Sequence, residues 1–313
     1  DALADGVTDD TTAGLARFPY LRVVSRPDVE VAKGRAADAR AAALVGARYL
    51  VEGGGRTAGS VTRVNVKLID VETGSHLWAE SYDRQLTSAN VFDVQDDLTS
   101  RVVATVADSA GVLVRSMAAS IRERAADDLS LDELVLRYFA YLETIRRDEH
   151  ASLRAAFEQG LDAQPSHALA WACLAGLYEH EHSLEFNIRL DSDAQSRART
   201  AARRSVELDP TCQEGWRQIA VRCHFERDLS GLRVAAEQTI QLNPLSTTAA
   251  YMGLLYGYAG DWEQSMSLVQ RAIELNPHHL KGLHLIVCLN HYRRGEYEDA
   301  LTHTKRANLP NHV

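Results

Sequence analysis

Prolines that follow a polar residue recur along the second half of the chain, and their spacing constrains the fold more than any other feature. They stand in Gln164-Pro165, Asp209-Pro210, Asn243-Pro244 and Asn276-Pro277. From Pro210 onward the two steps are 34 and 33 residues long. Proline lacks an amide proton and its ring clashes with the preceding helical turn, so each of these positions ends a helix. The spacing predicts a structural unit of about 34 residues that is repeated along the chain.

The segment 246–277 is the clearest such unit, and its pattern indicates two short antiparallel helices. Small and apolar residues share one face in each helix: Met252, Gly253 and Tyr256 in the first, then Ser265, Val269 and Ala272 in the second. The turn Gly260-Asp261-Trp262 joins the two helices. A single hairpin of this kind cannot bury its own apolar face, so the pattern requires neighbouring hairpins to stack against it.

Equivalent residues mark the other units. They are Trp171, Leu174 and Tyr178, then Trp216, Ile219 and Ala220, then the turn Gly295-Glu296-Tyr297 with Ala300, and in a degenerate first copy Phe157 and Gly160. These residue types at this spacing resemble the tetratricopeptide repeat. The resemblance implies an all-α superhelical solenoid of about five repeats, at 134–167, 168–212, 213–245, 246–279 and 280–313. An unrelated helical bundle with accidental spacing is the alternative.

The second repeat is longer than the others, because Pro165 and Pro210 are 45 residues apart. The excess over the ordinary repeat length is about eleven residues. We place it between the two helices, in 181–193. An insertion of this kind projects from one face of a repeat protein and is often where a partner is bound.

The first part of the chain mixes helical and strand patterns. The predicted order is helix, strand, helix, three strands and helix, at 2–17, 21–25, 36–48, 49–56, 61–71, 76–83 and 90–124. This order predicts an α/β domain with a small mixed sheet and covering helices. Three consecutive glycines, Gly53 to Gly55, weaken the first of the three strands and indicate a bulge or a close backbone approach there.

A series of short motifs in this region carries a second resemblance. The motifs are Leu3-Ala4-Asp5-Gly6, Arg22-Val23-Val24-Ser25-Arg26, Tyr49-Leu50-Val51-Glu52-Gly53, Leu68-Ile69-Asp70, Thr73-Gly74, Leu77-Trp78-Ala79-Glu80 and Phe92-Asp93-Val94-Gln95-Asp96. Together they resemble the amino-terminal domain of TolB, over residues 1–118, with 119–133 as a linker. Members of that family begin with a further strand, so we expect additional residues ahead of Asp1.

The second resemblance also implies a biological setting. Domains of this kind stand just ahead of tetratricopeptide arrays in bacterial nucleotide cyclases and in some transcription regulators. It therefore implies an effector domain ahead of Asp1, such as a nucleotide cyclase, and a regulatory role for the residues given. Few lysines among the basic residues and abundant alanine are typical of a GC-rich bacterial genome.

Composition excludes several classes of function. A net charge of −9 argues against a nucleic-acid surface, which needs a basic stripe to displace counterions. No uninterrupted apolar run approaches the ~20 residues that cross a bilayer, so we expect no membrane contact. The four cysteines show no CxxC spacing, which indicates reduced thiols in a cytoplasmic protein.

Candidate chemistry is sparse. The run Gly53-Gly54-Gly55-Arg56 lacks the GK[ST] and the helix start that a phosphate site needs. The run Glu179-His180-Glu181-His182 does not have HExxH spacing, and alternate residues of a helix do not share a face. Histidines recur in the last repeat, at His278, His279, His284 and His291. Because such histidines are more often exposed or singly bonded than ligands, we expect no metal there. No nucleophile elbow, Cys/His couple or tandem carboxylate signature stands out among the spacings, so we expect no catalytic group and no cofactor.

A binding groove is the stronger functional hypothesis. First helices of tetratricopeptide repeats line a concave surface, and position in the motif places these residues on it: Glu214, Arg217, Gln218, His224, Tyr251, Tyr258 and Arg293. We expect a non-catalytic scaffold that binds a protein or peptide partner there. For Tyr251 and Tyr258, packing against the next repeat is an equal alternative. A small-molecule sensor module is the alternative function, and a homo-oligomer remains open.

Overall fold

The structure is a computed structural model that describes residues 2–24, 42–43, 45–87, 89–190 and 193–307. The chain divides into two compact units, Asp1–Ser116 and Met117–Val313. The first contains a sheet with helices, and the second contains helices. The predicted linker and repeat boundaries stay predictions.

The first unit is built around a three-stranded sheet. Its elements are α1 (Ala2–Leu15), β1 (Tyr49–Ala58), β2 (Val61–Asp70), β3 (His76–Gln85), α2 (Val91–Ala107) and the start of α3 (Val112–Ser120). The strands pair antiparallel in the order β1-β2-β3. Over the described residues the sheet is therefore antiparallel, and the predicted mixed sheet is corrected.

One face of the central strand provides the core of this unit. Thr62, Val64, Val66 and Leu68 alternate with exposed or half-buried residues along β2, as expected when a pleated strand buries one face. On α2 the side chains of Leu98, Val102 and Val106 are buried, and α1 packs against this helix. The Arg84 guanidinium and the Asp97 carboxylate, 2.6 Å apart, link β3 to α2.

Two expectations for this unit need correction, and a third lies mostly outside the described residues. Residues Leu21–Val24 are not in a strand, and most of the predicted helix 36–48 lies outside the described residues. Gly53–Gly55 pair with Val64–Val66 in unbroken register, so the predicted bulge there is wrong. The register shift lies instead between Leu68 and Ile69, where β2 pairs with β3.

The predicted single helix 90–124 is broken at Asp108. Oδ1 of Asp108 accepts the amide N–H of Ala110 at 3.0 Å and so competes with helical hydrogen bonding. A Cβ at Gly111 would lie 2.7 Å from the carbonyl oxygen of Val106, so the turn requires a glycine. Helix α3 starts directly after this turn.

Among the described residues, the segment Val91–Ser120 is long and apolar enough to cross a membrane by length and composition. From the sequence we expected no apolar run long enough to cross a bilayer, so this segment differs from that expectation. The apolar window is 67% buried within the protein, and such burial is typical of a core helix in a folded domain.

The second unit consists of successive helix pairs. Its helices are α4 (Leu131–Tyr141), α5 (Arg147–Ala163), α6 (Ala168–Ser183), α7 (Ala194–Leu208), α8 (Gln213–Phe225), α9 (Leu229–Leu242), α10 (Thr247–Tyr258), α11 (Trp262–Leu275), α12 (Leu283–Arg293) and α13 (Tyr297–Ala307). Polar residues cap several helix starts by accepting backbone N–H groups, as Asp228 does for Gly231 and Asp261 for Gln264. The caps show why the helices begin where they do.

Each helix of this unit packs against the next, and the first helices of successive pairs also pack against one another. Small residues permit the close approach: Gly253 faces Val269, and Gly257 faces Ile286. Trp171 and Trp216 make equivalent hydrogen bonds in successive pairs. The indole N–H of each donates to the carbonyl of the proline six residues earlier, at 3.0 and 2.8 Å. Successive pairs thus repeat the same local geometry.

Candidate partner-binding surface

Four of the predicted groove residues lie on α8, and the structure buries three of them. Glu214, Arg217 and Gln218 keep 6%, 9% and 4% of their accessible surface. Nε of Arg217 donates to a carboxylate oxygen of Glu214 at 2.9 Å, and Nε2 of Gln218 donates to the same carboxylate at 3.1 Å. Because their polar groups are satisfied within the chain, the expectation that these three face an open groove is corrected.

Two tyrosines from other helices complete this buried group, which we call the Tyr138 cluster (Tyr138, Glu214, Arg217, Gln218 and Tyr251). The hydroxyl of Tyr138, on α4, lies 3.3 Å from Nη2 of Arg217. The guanidinium carbon of Arg217 lies 5.0 Å from the ring centre of Tyr251, on α10. The cluster therefore joins the first helices of the first, third and fourth pairs, and the predicted groove residue Tyr251 packs within it.

Electrostatics keep the cluster in one protonation state. Burial raises the pKa of Tyr138 well above its ordinary value, so its hydroxyl keeps its proton. Burial opposes the charge on Arg217, but the Glu214 carboxylate outweighs it and holds the pKa of the guanidinium above its usual value. An uncharged hydroxyl and a closed ion pair give the cluster little to offer a charged partner.

A second buried ion pair links α6 to α8. Nη1 of Arg222 donates to Oε2 of Glu179 at 2.6 Å, and both side chains are buried. Burial raises the pKa of Glu179, while Arg222 pulls it down. Within the Glu179–His182 run, Glu181 pairs instead with Arg154, so the four residues of this run do not converge on one point.

Exposed and half-buried rings lie next to these pairs and form what we call the aromatic strip (His182, His224, Phe225 and Tyr258). The ring of Phe225 meets those of His182 and His224 edge to face, at centroid distances of 5.8 and 5.4 Å. His224 stacks on Tyr258 at 5.5 Å. Tyr258 is 49% exposed and Phe225 is 42% exposed. The strip thus runs across the carboxyl ends of α6, α8 and α10.

The predicted groove residue Arg293, at the end of α12, lies beside a shallow cleft. Its guanidinium carbon lies 4.6 Å from the ring centre of Trp262, and its Nε donates to Asn290. The cleft has a volume of about 540 Å³ and is lined by Arg233, Ala259, Gly260, Asp261, Trp262, Glu263 and Arg293. Its lining includes Ala259, which directly follows Tyr258 of the aromatic strip in the chain.

The insertion in the second pair packs back onto the protein over its described part. Helix α6 ends at Ser183, and the loop then turns so that Phe186 is buried. The Asn187 side chain donates to the carbonyl of Arg147, and Arg189 pairs with Glu158 at 2.7 Å, both partners being on α5. We expected the insertion to project, and these contacts show that 186–189 do not.

Phe225 and His182 were missed by reasoning from the sequence. A signal for the strip was present, because His224, Tyr258 and Tyr292 are spaced by 34 residues, the length of one repeat. Position alone did not separate them from Arg217 and Gln218, whose burial depends on side chains of other helices.

No protein-family model matches the chain. One curated relative, "Putative adenylate cyclase 3" of Rhizobium meliloti (strain 1021), is 41% identical over 101 residues, which cover 32% of this chain and 17% of the relative. The matched region is therefore a small part of that protein. Two solved structures of MamA align at TM-scores of 0.37 and 0.36, with 18% and 17% identity. They cover 51% and 56% of this chain and 87% and 90% of the MamA chains, which is a partial likeness.

Proposed function

We propose that the chain is a non-catalytic regulatory region whose helical unit, a tetratricopeptide solenoid, binds an extended protein or peptide partner. The observation that supports this proposal is the aromatic strip, which leaves Phe225 and Tyr258 half exposed. Large rings bring contact area at low entropy cost and are common at the centres of protein interfaces. The Tyr138 cluster holds together α8 and α10, two of the three helices that present the rings.

The binding site that we propose is the aromatic strip together with the Arg293 cleft. Of the residues expected from the sequence it keeps His224, Tyr258 and Arg293. The cleft adds side chains of both charge signs, Arg233 and Arg293 as well as Asp261 and Glu263. A partner segment with apolar side chains for the strip and a polar end for the cleft would match this surface.

We further propose that the parent protein carries a nucleotide cyclase domain outside these residues and that the first unit is a TolB amino-terminal-like domain. The relative described as a putative adenylate cyclase supports the first point, since the match covers 17% of it. In this arrangement partner binding on the helical unit would be signalled to the cyclase domain, and the protein would work in the cytoplasm.

Photo-crosslinking tests the binding surface. A benzophenone amino acid is placed at Tyr258 or Phe225 and, as the matched control, at Tyr297, which is 65% exposed on α13. After irradiation in a bacterial lysate, we expect one defined protein adduct from each strip position and none from Tyr297. Equal adducts from all three positions, or none from the strip, would contradict the proposal.

Two further measurements separate the proposal from its alternatives. The purified chain, incubated with ATP and Mg²⁺, is expected to form no cyclic AMP, and product formation would show a catalytic site within these residues. A shift of the melting temperature by a metabolite mixture, without any protein adduct at the strip, would replace the scaffold role by that of a small-molecule sensor.

A further inference from the structure

The last helical pair gathers histidines that are far apart in the sequence. His279 precedes α12, His284 and His291 lie on α12, and His303 lies on α13. Ring centroids are 5.1 Å apart for His279 and His284, 5.0 Å for His284 and His303, and 5.4 Å for His291 and His303. The antiparallel packing of α12 and α13 therefore turns four separate residues into one cluster.

Hydrogen bonds fix the tautomers of three of these rings in their neutral form. Nδ1 of His279 lies 2.8 Å from the carbonyl oxygen of Asn276, which only accepts, so this nitrogen carries the proton. Nε2 of His279 must then accept from Nε2 of His284, at 3.3 Å. Nδ1 of His284 accepts in turn from Nδ1 of His303, at 3.0 Å. In this arrangement Nε2 of His303 has a lone pair that no hydrogen bond among the described residues uses.

Carboxylates lie beside this relay. Nδ1 of His291 and Oε2 of Glu296 are 2.6 Å apart, and Oε1 of Glu296 accepts from Nε of Arg294 at 2.9 Å. His291, Glu296 and Asp299 each offer one ligand atom, and these atoms all lie within 4.8 Å of one another. On α13, Asp299 and His303 are four residues apart, so they share one face of the helix.

This donor set is close to what one ion needs. In a tetrahedral zinc site, bonds of about 2.0–2.2 Å place the ligand atoms about 3.3–3.6 Å apart, so side-chain movements of about 1–1.5 Å are enough to bring these atoms around one ion. Imidazole nitrogen with carboxylate oxygen suits zinc and similar first-row ions, whereas calcium and magnesium prefer oxygen alone. The cluster has the chemistry of a transition-metal site.

We propose that His291, Glu296 and Asp299 bind one divalent ion of the zinc class, and that the His303 ring, which stacks on that of His291 at 5.4 Å, turns toward the ion to supply Nε2 as the fourth donor. The ion takes the place of the proton between His291 and Glu296 and moves those two atoms apart, to roughly 3.3 Å for tetrahedral zinc. His284 and His279 act as positioning residues, because their hydrogen bonds hold the His303 ring in the tautomer that can bind metal. Such a site would fasten the last helix to the rest of its pair.

A calorimetric titration with Zn²⁺ tests this proposal. It uses the 313-residue chain after a chelator has removed bound metal. The parent is expected to bind one ion at the cluster. His291→Gln and Asp299→Asn each remove one ligand and are expected to weaken that binding by at least about tenfold. His76→Gln, on an exposed position of β3, is the matched control and is expected to bind like the parent. A parent without binding, or ligand variants that bind as tightly as the parent, would overturn the site.

Co²⁺ provides an independent readout of the coordination. The visible absorption of Co²⁺ bound by the parent is expected to indicate four ligands, and that of His303→Gln to change. An unchanged spectrum in His303→Gln would overturn the role of His303 as the fourth donor.

Cys288→Ser tests whether a thiol in the same pair binds the ion instead, since Sγ of Cys288 lies 3.0 Å from Oγ1 of Thr304. Loss of binding in this variant would also contradict the proposal. Circular dichroism without metal shows that each variant folds.

Discussion

In the middle helices of the second unit two Arg–Glu ion pairs are buried, whereas the ion pair of Arg294 and Glu296 in the last pair stays close to solvent. The side chains of Arg222 and Glu179 are 6% and 7% exposed, but those of Arg294 and Glu296 are 56% and 34% exposed. Both regions have the same helical-pair architecture. They differ in whether a neighbouring first helix covers the polar side chains.

The difference shows where this protein can bind something else. A buried ion pair is a weak source of net stability, yet removing one partner is expensive because a charge is left without a counterpart. The middle of the unit therefore uses its charges to hold the helices together. The last pair instead keeps histidine and carboxylate side chains close enough to share an ion, and the aromatic strip keeps Phe225 and Tyr258 half exposed.

The largest effect is expected from Arg217→Ala, which leaves the buried Glu214 carboxylate without its ion-pair partner. We expect a loss of about 3–5 kcal/mol in the free energy of unfolding. Urea denaturation followed by tryptophan fluorescence measures it, since Trp171, Trp216 and Trp262 all lie in the helical unit. Adding Glu214→Gln is expected to restore part of the loss. Arg203→Ala, on an exposed position of α7, should change stability by no more than about 0.5 kcal/mol. A similar result for Arg217→Ala would contradict the role assigned to the cluster.

A smaller effect is expected from Gly176→Ala. The added Cβ would lie 2.1 Å from the hydroxyl oxygen of Tyr138, so the cluster must shift to admit it. We expect a cost of about 1–3 kcal/mol in the same urea experiment. Tyr138→Phe in the Gly176→Ala background removes the clashing oxygen and should recover part of it. If the two substitutions add independently, the close contact between α4 and α6 is not the cause.

Acid should weaken the middle of the unit through His180. Burial lowers the pKa of His180 to about 3, and Nδ1 of this ring lies 2.9 Å from the hydroxyl of Tyr141. The unfolded chain takes up a proton near the ordinary histidine pKa of about 6.5, so stability is lost as pH falls below that value. We expect the parent to lose about 1–2 kcal/mol more than His180→Asn between pH 7 and pH 5.

In His180→Asn the amide oxygen can accept a hydrogen bond from Tyr141 near the position of Nδ1. The stability of this variant at pH 7 should therefore remain measurable. His76→Asn, at an exposed histidine, is the control and should follow the parent at both pH values. Equal pH dependence in the parent and in His180→Asn would mean that His180 is not held neutral by burial.

The smallest effect is expected from Arg294→Ala in the last pair. This exposed ion pair with Glu296 is worth about 0–1 kcal/mol, because water screens both charges. Urea denaturation should place the variant close to the parent. A loss as large as that of Arg217→Ala would remove the contrast between the two regions.

Much of the fold follows from local patterns. The prolines at 210, 244 and 277 and capping residues such as Asp228 and Asp261 indicate where helices end and begin, because a missing donor or a side-chain acceptor acts on adjacent residues. The three strands were predicted to within a few residues at their ends. The predicted strand at 21–25 and the predicted bulge at Gly53–Gly55 were wrong, because pairing depends on a partner strand that the local sequence does not specify.

The candidate sites depend on distant contacts. Arg217 was expected to be accessible from its position in the repeat, yet it is buried by Tyr138, 79 residues earlier. The histidines of the last repeat were interpreted as separate surface residues. His303, which links His284 to His291, lies on the following helix and was not considered with them.

By itself the sequence determined that helices of the second unit end just before Pro210, Pro244 and Pro277 and that neighbouring pairs must pack together. Those properties depend on backbone donors, caps and apolar spacing within one repeat. Only the tertiary structure decided which polar side chains are consumed in ion pairs and which remain free to bind. The physical reason is that burial of a charge is set by side chains from other helices, which lie beyond the reach of any local pattern.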